Sequence, residues 1–199
     1  AKAAFAGIDL TTQPCRLTCG PLGIAPVALI AALVEEQGQS LADLQGSLVV
    51  DPLGVLAVEG TLSTSLATAY DRMAQLTRWA MAHAPKLRTI TVGTDGYRNS
   101  GGNAVQDIAF ALATGVAYIR ALQERGLAIN DIAARMSFEF AIGNDFFMEI
   151  AKFRAARLAW SQVIASFTAM LRRRKWLSMP APPPGTRPRS IPGSTCCAS

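Results

Sequence analysis

The sequence predicts an α/β fold built on parallel strands. Four short runs have the composition of strands, and each is followed by a longer run in which apolar residues recur at helical spacing. The strand–helix pairs repeat roughly every 40 residues, and a connection of that length with its own helix joins parallel neighbours. The pattern fits an open doubly wound sheet or part of a (β/α)8 barrel, and periodicity alone does not separate the two.

Each strand and its helix can be placed along the chain from composition and end signals. The predicted strands occupy residues 15–20, 46–51, 87–96 and 134–143. The predicted helices lie within residues 25–37, 64–84 and 103–126 and from residue 144 onward. For the third helix the ends are specific, since Asn103 and Gln106 form a capping-box pattern and Gly126 is a typical C-terminal stop.

The positive net charge is concentrated at the end of the sequence. Of the 19 basic residues, six follow residue 170, where no acidic residue occurs. A nucleic-acid interface would place its basic residues on a folded face among aromatic residues, so this distribution argues against one. With its prolines, the segment is predicted to be a disordered Pro/Arg-rich tail, residues 168–199. A polybasic membrane contact or a proline-rich ligand is the alternative reading of the same residues.

Neither a metal site nor a membrane or secretory segment is predicted. Cys15 with Cys19 and Cys196 with Cys197 lack paired zinc-ligand spacing, and His83 is the only histidine. No secretory signal is visible, and no run is expected to span a bilayer. Reduced thiols in the cytoplasm are therefore expected.

The segment at residues 137–160, SFEFAIGNDFFMEIAKFRAARLAW, runs from an alternating strand directly into a long helix. On spacing alone it is a core helix with Glu149 and Lys152 paired at its margin. The predicted core stripe comprises Phe146, Ile150, Phe153, Trp160, Ile164 and Phe167. The order of its residues, however, strongly resembles the cobalamin-dependent acyl-CoA mutases, above all the methylmalonyl-CoA mutase family. The similarity covers about residues 8–167 and includes EEQG after the first helix and HAPKLRTI before the third strand.

This resemblance implies a fold and a cofactor. Residues 1–167 would be part of a (β/α)8 barrel, about four βα units, with the acyl-CoA threading its axis. The small polar Ser137 and Glu139 would then face that axis. Adenosylcobalamin would serve the complete enzyme, held by a separate domain with a D-x-H-x-x-G motif. That motif is absent here, so the chain alone is expected to bind no cobalamin.

The resemblance also implies which residues contact coenzyme A. Lys86 falls at a lysine near the CoA, Arg135 and Ser137 fall on an R-x-S triplet that contacts it, and Ser47 falls on the threonine of a Thr-x-Gln pair. Arginine suits phosphate because its hydrogen bonds are charge-assisted. The alternative interpretation of Lys86 and Arg135 is that both are surface residues at the ends of strands, without a role in binding.

The residues that would carry catalysis are missing. Val49 replaces the glutamine of the Thr-x-Gln pair, and Glu59 lies near the position of the arginine that holds the substrate carboxylate. Glutamate has the wrong charge for that task. A Tyr-His pair ends the third strand in catalytic chains, whereas this chain has Tyr97 followed by Arg98, or Gly96 if no gap is allowed. No catalytic residue is therefore predicted.

These losses predict a non-catalytic small subunit that pairs with a catalytic large subunit. The alternatives are a catalytic chain for another acyl-CoA and a structural or partner-binding barrel piece. A further alternative is an aldolase-like barrel using Asp51 and Asp95, although an aspartate after a strand is usually a helix cap. The tail is hypothesised to be a shifted reading frame, because another frame can encode sequence resembling the family's next strand. A chain of four units alone is expected to be marginally stable and to associate.

Overall fold

The computed structural model describes residue 5, residues 7–20 and residues 23–177, with side chains as far as residue 169. Within these ranges the strands are β1 (Cys15–Thr18), β2 (Gly46–Val49), β3 (Leu87–Arg88), β4 (Ile90–Gly93) and β5 (Met136–Glu139). The helices are α1 (Ile24–Glu36), α2 (Pro52–Glu59), α3 (Leu66–His83), α4 (Asp95–Asn99), α5 (Ala104–Glu124), α6 (Ile129–Ala134) and α7 (Phe146–Leu177).

All strand pairs in the described part of the chain are parallel. β1 pairs with β2 and β2 with β3, while β4 pairs with β5. Only Thr89 separates β3 from β4, and the Thr91 backbone N–H donates to the Val50 carbonyl across to β2 at 3.4 Å. The second sheet therefore continues the first, with β4 in line with β3 beside β2. The strand order in space is the order in sequence. The predicted α/β fold with parallel strands is confirmed.

The helices cover one face of the strands and bury the core there. Alternate strand residues, including Leu48, Leu87, Ile90, Val92 and Met136, point to that face and are buried. They pack against helix residues that are also buried, Val34, Met73, Tyr118, Ile119 and Leu122 among them. Alternation along a strand sends the intervening residues to the opposite face, which we call the concave face.

The concave face is curved. The Arg16 guanidinium on β1 forms two hydrogen bonds with the Glu139 carboxylate on β5, one of them from Nε to Oε1 at 2.6 Å. In a flat sheet three strand spacings, roughly 14 Å, would separate residues of the first and last strands. Because strand side chains stand nearly perpendicular to their sheet, the contact requires that the strands bend towards each other.

The long helices begin and end close to their predicted positions. At α5 the Asn103 side chain accepts from the backbone N–H of Gln106, and the Gln106 side chain accepts from that of Asn103, so the predicted capping box is confirmed. Gly126 follows the helix with φ +83°, a left-handed conformation that favours glycine. The short helices α2, α4 and α6 were not predicted. Helix α4 begins at Asp95, inside the predicted strand at residues 87–96, and α6 ends at Ala134, the first residue of the predicted strand at residues 134–143. Both strands are therefore shorter than predicted.

Two features of α7 differ from the sequence predictions. Phe146 and Ile150 are exposed, whereas Glu149 and Lys152 are buried, so the predicted stripe with charges at its margin is wrong for the first two turns. The physical reason is that these turns pack on charged neighbours rather than on the apolar core. The helix also continues to Leu177, past the predicted boundary at residue 167, because no proline occurs before Pro180. The rest of the predicted tail, residues 178–199, lies outside the described residues.

Helix α5 is long and apolar enough to cross a membrane by length and composition, which corrects the expectation that no run was. One face of the helix, with Ala111, Tyr118 and Leu122, is buried in the core. A helix that packs on a sheet in this way passes the same test, so α5 is interpreted as a core helix.

Candidate functional site

The amino ends of the first three strands surround an open cavity on the concave face. Arg16, Ser47 and Arg88 are successive partners in the strand register, so the serine lies between two arginines. The Ser47 hydroxyl and the Arg88 guanidinium have no hydrogen-bond or ion-pair partner among the described residues. The cavity measures about 350 Å³ and is lined by Pro14, Cys15, Arg16, Gln45, Gly46, Ser47, Lys86 and Arg88. Its lining contains three cations and no carboxylate.

The structure gathers two of the four predicted CoA contacts at this cavity. Ser47 and Lys86 both line it. Lys86 is more than half exposed, and its Nζ lies 2.8 Å from Asp43 Oδ1. Such an exposed pair contributes only about 0–1 kcal/mol, so an anion could compete for the lysine.

The other two predicted contacts lie beside β5 and do not line the cavity. Ser137 pairs in register with Thr91, and their hydroxyl oxygens are 3.0 Å apart. Arg135 is buried at the end of α6, where its backbone carbonyl accepts from the N–H groups of Thr89 and Ile90. Its Nε has no hydrogen-bond partner within the described residues. The four residues therefore do not form one site in this chain.

At the carboxyl ends of the strands the concave face carries acidic groups. Glu139 ends β5, and Asp95 begins α4, separated from the end of β4 by one residue. The hydrogen bond with Glu139 is the main cause that raises the pKa of Arg16, and the charge of Asp95 adds to it. Charge on this face thus changes from basic at the amino ends to acidic at the carboxyl ends.

Asp51 forms a structural hub beside these groups. Its carboxylate accepts from the backbone N–H of Gly54 at 2.9 Å and from that of Gly93 at 2.8 Å. The Tyr118 hydroxyl donates to the same carboxylate and accepts from the Leu53 backbone N–H at 2.9 Å. Burial raises the pKa of Asp51 despite these bonds. Since the Asp51 carboxylate is buried and holds three donors, one of them as the cap of α2, the aldolase-like alternative loses one member of its carboxylate pair.

We expect Tyr118→Phe to lower the free energy of unfolding by about 1.5–3 kcal/mol, the range for a hydrogen bond to a charged group. The substitution leaves the buried Asp51 carboxylate with one donor fewer. Urea denaturation followed by circular dichroism measures the loss. Tyr70→Phe is the matched control, because the Tyr70 ring packs edge-on against Tyr118 while its hydroxyl makes no hydrogen bond within the described residues. Equal losses in the two variants would contradict the role given to the Tyr118 hydroxyl.

A buried charge cluster lies under the loops that follow β4 and β5. Its members are Lys152 on α7, Asp107 on α5, Glu149 on α7 and Arg98 on α4. Lys152 and Asp107 are fully buried, and Lys152 Nζ lies 3.3 Å from Asp107 Oδ2 and 2.5 Å from Glu149 Oε2. Arg98 lies 3.4 Å from Glu149 and 3.6 Å from Asp107. The hydrogen bond from Lys152 is the main cause that lowers the pKa of Glu149.

The charge cluster also fixes backbone. Lys152 Nζ donates to the Ala141 carbonyl at 2.5 Å, and Arg98 Nη1 donates to the Gly102 carbonyl at 3.3 Å. The charge cluster therefore holds the loop after β5 and the loop after α4 against the first turns of α7. Sequence reasoning noticed the Glu149–Lys152 spacing but not Asp107, whose signal was a carboxylate on the apolar face of α5.

Comparison with known proteins decides the family. The family model for methylmalonyl-CoA mutase matches residues 1–185. The chain belongs to the methylmalonyl-CoA mutase family. The resemblance predicted from the residue order of the strand and helix at residues 137–160 is thereby confirmed, and this family is one of isomerases.

Relatives in the mutase family include proteins named methylmalonyl-CoA mutase, large subunits and a small subunit. The chain is 35% identical over 166 residues to the methylmalonyl-CoA mutase of Cereibacter sphaeroides, an alignment that covers 83% of this chain and 23% of that protein. It is 34% identical over 194 residues to the small subunit of Streptomyces virginiae, covering 89% of this chain and 31% of the relative. With the large subunit of Propionibacterium freudenreichii subsp. shermanii the identity is 32% over 166 residues. The chain spans less than a third of the length of these mutase relatives.

The positions at which the mutase resemblance places catalytic residues are occupied differently in the structure. Glu59 is exposed at the end of α2. Tyr97 stacks on Phe110 with ring centroids 4.6 Å apart, and Arg98 is held in the charge cluster. None of these three side chains lines the cavity at the amino ends of the strands.

The residues present do not fit the cobalamin that the mutase family implies. His83 is the only histidine of the sequence. Its ring stacks on Trp79, and its Nδ1 lies 3.0 Å from the Trp79 carbonyl oxygen at the end of α3. Met81 stands two residues before this histidine, where the D-x-H-x-x-G motif has its aspartate, so His83 does not match the cobalt ligand that the resemblance implies.

Proposed function

We propose that this chain is a barrel segment of the small, non-catalytic subunit of a methylmalonyl-CoA mutase and that it supports a catalytic large subunit. The observation that carries the proposal is the replacement at the catalytic positions, with Glu59 near the position of the carboxylate-binding arginine and no histidine after the third predicted strand. A glutamate repels the carboxylate that the arginine would bind. The identity to a Streptomyces virginiae small subunit agrees with this reading.

The proposed fold of this segment is part of a (β/α)8 barrel. The strands are parallel and lie in sequential order, and they curve so that a residue of β1 forms an ion pair with a residue of β5. Both features support the barrel. The doubly wound alternative would reverse the strand order at a switch point. The strand order among the described residues contains no such reversal.

In the proposed holoenzyme, methylmalonyl-CoA and succinyl-CoA interconvert by adenosylcobalamin radical chemistry carried out by other parts of the assembly. This chain would contribute contacts to coenzyme A. Ser47 and Lys86 lie at the basic cavity, where they suit the phosphate end, and Arg135 and Ser137 beside β5 would contribute only if the complete barrel brings them to the ligand. The assembly would work in the cytoplasm.

The experiment is co-expression of the full chain, affinity-tagged, with the large subunit of Propionibacterium freudenreichii subsp. shermanii. We expect the two proteins to elute together in size-exclusion chromatography and the tagged chain alone to show no isomerisation of methylmalonyl-CoA with added adenosylcobalamin. An unrelated tagged (β/α)8 protein is the control for non-specific association. Isomerisation by the chain alone would overturn the proposal, and so would failure to associate.

A catalytic chain for another acyl-CoA remains the second candidate. The observation that favours it is that large subunits match as closely as the small subunit, for example 35% for the probable large subunit of Mycobacterium tuberculosis. Assay of the chain with adenosylcobalamin against a panel of branched and linear acyl-CoA esters separates the two. Turnover of any of these would favour the catalytic candidate.

A further inference from the structure

The Arg16–Glu139 ion pair lies where a ligand on the concave face would have to pass. Arg16 lines the cavity at the amino end of β1, and its guanidinium reaches Glu139 at the carboxyl end of β5. Two hydrogen bonds join the groups in the bidentate geometry that fixes both side chains. We call this pair the bar. It crosses the curved face from its first strand to its last.

The bar separates two halves of opposite charge. On one side lie Lys86, Arg88 and the free Ser47 hydroxyl, which suit phosphate. On the other side lie Asp95 and the carboxyl ends of the strands. Arg88 has no ionic partner among the described residues, so the basic half holds a cation available to an anion even while Arg16 is engaged.

We propose that the bar limits the length of ligand that the concave face accepts. The phosphate-bearing end of the ligand binds at Arg88, Lys86 and Ser47, and the arm attached to it stops at the Arg16–Glu139 pair. This inference rests on the proposed function in one respect, namely that the ligand is a coenzyme A ester. On this proposal, Arg16 and Glu139 keep an acyl group from reaching the carboxyl ends of the strands. Both residues lie outside the replaced catalytic positions.

The test compares two probes that share one anionic end. One is coenzyme A, and the other is its phosphoadenosine diphosphate portion without the pantetheine arm, called here the nucleotide probe. Isothermal titration calorimetry gives the Kd of each for the full chain. We expect the Kd values to be equal within a factor of about two, because the arm makes no contact beyond the bar. In Arg16→Ala/Glu139→Ala the Kd for coenzyme A should fall about tenfold relative to that for the nucleotide probe, as the arm buries its apolar groups along the face.

The charge-swapped variant Arg16→Glu/Glu139→Arg is the matched control. It keeps the pair and reverses its polarity, so the ratio of the two Kd values should return to that of the unmodified chain. If the double alanine variant does not fold, as judged by circular dichroism, Arg16→Ala alone carries the same comparison, since it removes the longer of the two side chains that form the bar.

Three results would overturn the proposal. They are a tighter Kd for coenzyme A than for the nucleotide probe by tenfold or more in the unmodified chain, an unchanged ratio after removal of the bar, and no binding of either probe to any variant. None of these bears on association with the large subunit, which tests the proposed function separately. Conversely, the chain could show the expected Kd ratios but fail to associate with the large subunit. The proposal about the bar would then stand, and the assignment as a small subunit would be wrong.

Discussion

Lys152→Met is expected to remove about 3–5 kcal/mol from the free energy of unfolding, the cost of breaking a buried ion pair from one side. The substitution keeps most of the side-chain volume but leaves the Asp107 and Glu149 carboxylates with Arg98 as their one ion-pair partner among the described residues. Asp107 Oδ1 already lacks a hydrogen-bond partner within the described residues, so the network has no spare donor. Because whole domains are stable by only about 5–15 kcal/mol, this loss is a large fraction of the total.

Chemical denaturation of both proteins, followed by far-ultraviolet circular dichroism, measures the difference. Lys86→Met is the matched control, the same replacement in an exposed pair with Asp43, and should cost no more than about 1 kcal/mol. If the two substitutions cost the same, Lys152 does not neutralise the buried carboxylates and the charge cluster has been assigned wrongly.

Gly46→Ala is expected to destabilise the chain by about 3 kcal/mol or more, since it combines backbone strain with a steric overlap. Gly46 begins β2 with φ +143°, a conformation that side chains rarely adopt. A Cβ at this position would overlap the carbonyl oxygen of Cys15, its register partner on β1. Relief requires the two strands to separate beside Ser47.

Gly38→Ala separates the two causes. Gly38 has φ +71°, but a Cβ there would meet nothing within 4 Å, so only the backbone strain applies. We expect a loss of about 1 kcal/mol from that strain alone. Thermal unfolding of the two variants compares them, and equal losses would show that the approach of Cys15 to Gly46 has no energetic consequence.

Most of the fold was predictable because its signals are local. The strand at residues 15–20 and the helix at residues 64–84 follow from alternation and helical spacing, and the capping box at Asn103 follows from two residue types. Helices α2, α4 and α6 were missed because they are short, and short helices are set by tertiary packing more than by sequence pattern.

The candidate site was predictable only in part, because its contacts are distant in sequence. Ser47 and Lys86 were found through family resemblance, and the register explains their position. Arg16 and Glu139 are 123 residues apart, and no pattern in either strand announces their contact. The burial of Lys152 was missed for the same reason, since its partner Asp107 lies on another helix and periodicity treats a charged residue as exposed.

The sequential order of the strands bears on how the chain is made. Each strand pair joins two strands that are consecutive in sequence, through Cys15 with Gly46, Gly46 with Leu87 and Ile90 with Met136. A ribosome adds about 5–20 residues per second, so each strand leaves the exit tunnel a few seconds after the one that templates it. No later strand has to insert between two strands that already pair. Assembly can therefore proceed during synthesis, one strand–helix unit at a time.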